Sequence, residues 1–171
     1  MRVFLTALAA LALGGCRRAK VPTGASVHAR QVLEEFSMSE DRLGKKEWSL
    51  QARFALLNEQ NQEISLSAPR MEFFEKAKPT SMVESLQGTA ELSSHDILLS
   101  SHVVMTSTVE QSVLRTEELH YSDSRKKFYT DADVELTQPS GVLHGKGLEA
   151  DPNLSEVRIF KQNAVVGKSK I

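Results

Sequence analysis

Five histidines (positions 28, 95, 102, 120 and 144), one cysteine and several paired serines are the side chains of this 171-residue chain able to bind a metal or attack a carbonyl. A helical zinc site needs two imidazoles four residues apart, and no histidine pair has that spacing. Extended strands would separate them further, so they read as surface histidines. Ser93-Ser94 and Ser100-Ser101 lack the Gly-x-Ser-x-Gly elbow that lifts a nucleophile above a sheet. Gly145-Lys146-Gly147 lacks the Gly-x-x-x-x-Gly-Lys frame that wraps a phosphate. With no nucleophile beside a base, the chain reads as a non-enzyme without cofactor or metal. The reactive group that remains is the thiol of Cys16.

Cys16 follows an apolar run from Val3 to Gly15 that is headed by Arg2. A helix of that length reaches about 20 Å, against a hydrocarbon core of roughly 30 Å. The run is therefore read as an export signal rather than a membrane span. Leu13-Gly14-Gly15-Cys16 resembles the bacterial lipobox, in which the signal is cut before the cysteine and the thiol carries diacylglycerol. An ordinary signal peptide, with its cysteine placed there by chance, is the competing reading. On the lipobox reading residues 1–15 are removed, and residues 16–30 form a flexible linker punctuated by Pro22-Thr23-Gly24-Ala25-Ser26. Arg17, Arg18, Lys20 and Arg30 make it basic, each adding about 1 kcal/mol of attraction beside an anionic membrane. All 22 acidic residues follow Gln31, and a mildly acidic body argues against a nucleic-acid partner. A folded domain is expected over 31–166, with 167–171 as a tail.

The elements of that domain are strands. Trp48, Leu50, Ala52, Phe54 and Leu56 alternate with Ser49, Gln51, Arg53 and Ala55, the period of a half-buried strand. Ile64, Leu66 and Ala68 follow after the turn Asn58-Glu59-Gln60-Asn61, and Pro69 then ends or bends the strand because it donates no ladder hydrogen bond. Met71 to Phe74 resumes extended structure up to the turn Lys76-Ala77-Lys78-Pro79. Later strands are expected near 82–92, 96–100, 102–108, 112–122, 127–130, 133–138, 142–150 and 156–161. Gln31 to Phe36 could start a helix but sustains no apolar stripe beyond two turns. A repeat reinforces the pattern. Leu114-x-Thr116-x-x-Leu119-x-Tyr121 with Phe128-x-Thr130 recurs as Leu143-x-Gly145-x-x-Leu148-x-Ala150 with Val157-x-Ile159, and a looser copy occupies 88–105. The fold class is all-β, a stack of antiparallel hairpins with one apolar face.

In order along the chain, these residues resemble the LptC family of periplasmic lipopolysaccharide export. The resemblance covers about residues 32–161. It rests on Phe36-Ser37-Met38-Ser39 before a Gly-Lys turn, Trp48-Ser49-Leu50-Gln51-Ala52, Ile64-Ser65-Leu66-Ser67-Ala68-Pro69 and Leu114 to Tyr121. Tyr129-Thr130-Asp131-Ala132-Asp133-Val134 and Gly145-Lys146-Gly147-Leu148-Glu149-Ala150-Asp151 complete it. The resemblance implies an open, twisted antiparallel β-jellyroll that cradles lipid A acyl chains. It implies receipt of lipopolysaccharide from an inner-membrane ABC transporter complex and delivery to a periplasmic bridge protein of the LptA type. Familiar members carry an N-terminal transmembrane helix, whereas this chain presents the lipidation motif at Cys16. That implies a periplasmic protein held by its lipid, at the inner membrane or, if sorted onward, the outer one.

Sheltering acyl chains contributes about 25 cal/mol per Å², so capture is easy and a smooth trough favours release. The inward row expected to line it includes Leu50, Ala52, Phe54, Leu66, Phe73, Ile97, Leu99, Val103, Leu119, Tyr121, Phe128, Val134 and Leu136. The same alternation serves equally for a dry sandwich core, which would make the chain an assembly lipoprotein that binds proteins by its sheet edges. Partner contact is expected at the free edges, with Val157, Ile159, Lys161 and Val165 on the strand offered to the bridge protein. Arg125-Lys126-Lys127 reads as a charged hairpin turn before it reads as a lipid-phosphate site.

Overall fold

The computed structural model describes residues 31–164, with the side chains of the last two left aside. Eleven strands join in one antiparallel sheet. They are β1 (Gln31–Arg42), β2 (Lys45–Asn58), β3 (Glu63–Ser67), β4 (Arg70–Glu75), β5 (Lys78–Glu84), β6 (Gln87–Glu91), β7 (Ile97–Ser107), β8 (Ser112–Ser122), β9 (Lys127–Gln138), β10 (Gly141–Ala150) and β11 (Val157–Ala164).

The path is simpler than the count. β3 and β4 both pair with β2 in one register, Phe54 opposite Ser67 and Gln51 opposite Arg70, so they are two lengths of one bent strand. β5 and β6 continue each other in the same way against β4 and β3. Backbone bonds carry the ladder across the break, from Ala68 N–H to the Leu86 carbonyl at 2.9 Å and from Ser85 N–H to the Pro69 carbonyl at 3.2 Å. Pro69 thus bends the strand without stopping it, as its missing donor allows at an interruption. Each long run hairpins into the next, which leaves β1 and β11 as the two free edges.

A line of irregularities crosses the sheet and folds it. Along it lie Ala68, the pair Ser101-His102 with φ of 64° and 58°, and Gly147 with φ of 79°. Register shifts fall between Ser100 and Val103, between Thr116 and His120, and between Lys146 and Leu148. Bulges of this kind bend a strand and increase its twist. At the line the inward parity often slips by one. Leu50 and Ala52 face in before it and Ala55 after it; Leu114 and Thr116 face in before it, Leu119 and Tyr121 after it. The slip keeps the apolar side inside as each strand passes from one half of the sheet to the half that covers it. The result is a β-jellyroll made from a single meander.

Three expectations change here. Phe54 is 41 % exposed instead of facing inward, because the slip falls between Ala52 and Ala55, and the Arg53 guanidinium sits 5.5 Å over its ring. Residues 31–42, which the sequence left unassigned, form β1. Their alternation is dilute, with Phe36 and Met38 packing on the core between exposed serines, and the pairing with β2 holds them extended. Expected strands also merge: 96–100 and 102–108 are one strand with a bulge at Ser101-His102, and 127–130 and 133–138 are both β9. Cys16, the signal segment and Val165 lie outside the described residues.

Gly145 marks the tightest approach. A Cβ there would stand 2.3 Å from Ile159 Cγ2 and 2.8 Å from the Lys161 carbonyl oxygen, which belongs to the β11 ladder and has little freedom to move. Gly145→Ala is expected to cost about 1–3 kcal/mol and lower Tm by roughly 3–10 °C, read by thermal unfolding. An unchanged Tm would show that β11 is loosely held.

Candidate functional site: an apolar interior between two free edges

Pairing across the sheet sorts the inward side chains into rows. In one half of the folded sheet, Met38, Leu50, Met71, Val83, Met105, Leu114, Leu136 and Leu143 stand opposite one another in turn from β1 to β10. In the other half, Leu57, Ile64, Ala90, Ile97, Tyr121, Phe128, Ala150 and Val157 run from β2 to β11. The sequence repeat has its physical meaning here, since Leu114 and Leu143 fall in the first row and Tyr121 and Ala150 in the second. Mid-row side chains such as Leu50, Val83, Met105 and Phe128 are 0 % exposed. The row ends Met38, Leu143, Leu57 and Val157 are partly open, packed against the core but reached by solvent. Apolar surface therefore runs from one free edge to the other, sealed in the middle and open at both ends.

Of the thirteen residues expected on the inward row, the twelve other than Phe54 are buried, none above 5 % exposure. Val157 and Ile159 of the edge strand also face inward, Ile159 at 8 % exposure, while Lys161 is exposed.

The halves are pinned together at one corner. Phe73 from the first half meets Tyr121 and Phe128 from the second edge-on, with ring centroids 5.2 and 5.4 Å apart, and Trp48 meets Tyr121 at 6.4 Å. Rings of this size bury about 150–250 Å² each, so every one contributes roughly 4–6 kcal/mol of gross burial. Polar bonds overlie the cluster. Trp48 Nε1 donates to Asp123 Oδ1 at 3.2 Å, and Lys126 Nζ bridges Asp123 at 2.6 Å and Glu47 at 3.1 Å. Asn153 Nδ2 donates to Glu75 at 2.9 Å, which ties the 151–156 turn to the end of β4. Apart from Asp123–Lys126, three residues apart, these pairings join residues distant in sequence, and nothing in local spacing announces them. All three residues of the basic turn are engaged within the protein, Arg125 over the Tyr129 ring at 4.5 Å, Lys126 as above, and Lys127 with Glu156 at 3.0 Å.

A cavity of about 900 Å³ does not lie between the halves. Every lining residue belongs to the 102–104, 115–117, 133–135, 144–146 and 161–162 segments of one half. It is an open groove across the sheet, carrying the ion pair Arg115–Glu135 at 3.6 Å and His144 at 3.9 Å from the same carboxylate.

A single curled antiparallel sheet with an apolar interior and two unpaired edges defines the β-jellyroll class. The family model described as "Lipopolysaccharide-assembly, LptC-related" matches residues 7–165, nearly the whole chain. The protein belongs to that family, whose role is lipopolysaccharide transport in the cell envelope together with the Lpt complex, a transport task rather than an enzymatic one. No curated protein matches the chain. Among the described residues no helix is long and apolar enough to cross a membrane.

Tyr121 supplies a test of the pinned corner. Burial pushes its phenol above its ordinary value of 10.0, and the negative charges of Asp123 and Glu47 push it further. The folded state then keeps a proton that the unfolded state releases above pH 10, so stability falls as pH rises past that point. The slope is at most about 1.4 kcal/mol per pH unit. Urea unfolding of the wild type and Tyr121→Phe between pH 9 and about 11.5 is expected to show a shallower decline in the variant; parallel declines would place the phenol in contact with water.

Proposed function

We propose that this protein transports lipopolysaccharide by sheltering its acyl chains between the two halves of the folded sheet. It takes the lipid from the inner-membrane ABC extractor complex and passes it to a periplasmic bridge protein of the same architecture, while diacylglycerol on Cys16 holds it at the inner membrane. The observation that carries this reading is the pair of apolar rows that reach both free edges and stay partly uncovered there. A lipid entering at an edge meets apolar surface from the first contact, and a similar sheet docked on β1 or β11 would prolong the row that ends on that strand into its own interior. Acyl chains then exchange one apolar lining for an equal one, so net transfer costs little and the direction comes from the ATP-driven partner.

The interior in the described state is closed, so loading requires the halves to part. The pinned corner resists this with four aromatic rings and several polar bonds; the edges do not. Entry is therefore assigned to the edges rather than to the corner. A second reading has the same closed core in its favour: an assembly module that stays dry and only bridges proteins through its edge strands.

Photo-crosslinking in the living cell distinguishes the two. Crosslinkers at Phe36 and Leu143, partly buried on the inward side near opposite edges, are expected to capture lipopolysaccharide, whereas one at Val142 on the outer side is not. Capture of protein alone at all three would favour the dry module. A crosslinker at Lys161 is expected to capture the bridge protein, and a chain that binds the bridge with no adduct at Lys161 would move the contact to β1.

A further inference from the structure

Two turns and one edge strand meet beside the pinned corner, and their side chains suit a cation. Glu40 comes from β1, His95 from the turn between β6 and β7, and Asp123 from the turn between β8 and β9. One ligand atom from each lies within 4.8 Å of those of the other two. His95 Nδ1 stands 3.3 Å from Glu40 Oε2, with the glutamate side chain 25 % exposed. Asp123 is 13 % exposed and its Oδ1 is held by Trp48 and Lys126, which leaves Oδ2 free of those partners. Asp96 completes the support by accepting the Asp123 backbone N–H at 2.8 Å.

The charges around this group do not balance. Its ion pairs and hydrogen bonds gather the carboxylates of Glu40, Glu47, Asp96 and Asp123, against the cations Lys126 and Arg42. Two negative charges are left over in a partly sheltered place, where mutual repulsion is less screened than on open surface. A neutral imidazole with two carboxylates is a donor set for a divalent transition ion, and it differs from a bare acidic cluster in offering a nitrogen ligand. Tetrahedral ligands about 2.1 Å from zinc stand about 3.4 Å apart, so the three donors need to close by roughly 1 Å. His95, on the exposed turn, has the freedom to do so.

We propose that Glu40, His95 and Asp123 form a zinc-class metal site, with water as the fourth ligand. The ion ties the free-edge strand β1 to two turns of the opposite half and so fastens the sheet closed beside the aromatic corner. This is a structural clasp rather than a hydrolytic centre. Local spacing could not reveal it, because its ligands are contributed by three segments more than 25 residues apart.

The test uses the full chain, purified in detergent and stripped with chelator, titrated with zinc chloride by calorimetry and followed by thermal unfolding and amide exchange. The expected result is one zinc per chain at micromolar affinity, a raised Tm and slowed exchange in β1. His95→Gln and Glu40→Gln are expected to weaken binding at least tenfold, while His144→Gln in the outer groove leaves it unchanged. His95→Gln is the decisive variant, since its side chain is 43 % exposed and Glu40 is its ion-pair partner. No saturable uptake below about 1 mM zinc, or equal affinity in His95→Gln and the wild type, overturns the site.

Discussion

The whole molecule depends on strands that must bend without turning inside out. A strand alternates its side chains strictly, so a sheet folded over on itself would present its polar face to the interior unless the parity is reset at the bend. Here the reset is made repeatedly, between Ala52 and Ala55, between Leu66 and Met71 around the left-handed Ala68, and between Thr116 and Leu119 at a register shift. Such conformations cost about 1–3 kcal/mol each where the residue is not glycine. Ala68, Ser101 and His102 bear that cost because both lengths of each strand then bury apolar side chains worth about 1.5–3 kcal/mol apiece. The bend is thus secured by what lies on either side of it, and no single residue at the bend holds it.

That arrangement distributes stability unevenly. The interior is held most firmly where Trp48, Phe73, Tyr121 and Phe128 interlock and where Asp123, Lys126 and Glu47 cover them. Toward the edges the same rows end in side chains that are only half covered, Met38 and Val157 on the two strands paired along one side, Leu57 and Leu143 on the strands next to them. Local opening follows the least-supported backbone, so the edges breathe before the corner does. The proposed function, in which lipid enters and leaves the interior, needs this contrast. A uniform core would either refuse the lipid or collapse around its absence.

Much of this was legible in the sequence, and the part that was not has a definite cause. Period-two alternation marked Trp48 to Leu56 and every strand from Ile97 onward, and the repeat from Leu114 to Ile159 identified residues that fall in common rows. Alternation alone placed Phe54 inside, because the parity slip between Ala52 and Ala55 that turns it outward is marked by no residue type. Strand β1 escaped notice for the opposite reason. An edge strand buries one side against a single neighbour, so its apolar signal is thin and the acidic residues between invite a helical reading. The clasp of Glu40, His95 and Asp123 and the cover of Trp48 by Asp123 depend on turns brought together by the folding of the sheet, which no window of local sequence contains.

The closed interior bears directly on how such a module could carry lipid. Parting the halves in water would expose both apolar rows, at a cost beyond the 5–15 kcal/mol that holds a domain together. Parting them around an acyl chain exposes almost nothing, because each side chain that loses its partner across the interior gains a methylene in its place. The relevant free energy is the difference between two kinds of apolar contact, set by packing rather than by hydration. Phe73 meets Tyr121 and Phe128 across the interior in fixed edge-on geometry; contacts with a flexible hydrocarbon would be less specific. On the proposed function the empty state is the better packed of the two, and a lipid would be held less tightly than its buried area suggests. For a carrier in a relay that is the useful condition, since a module that preferred its cargo to its own core would become the end of the line.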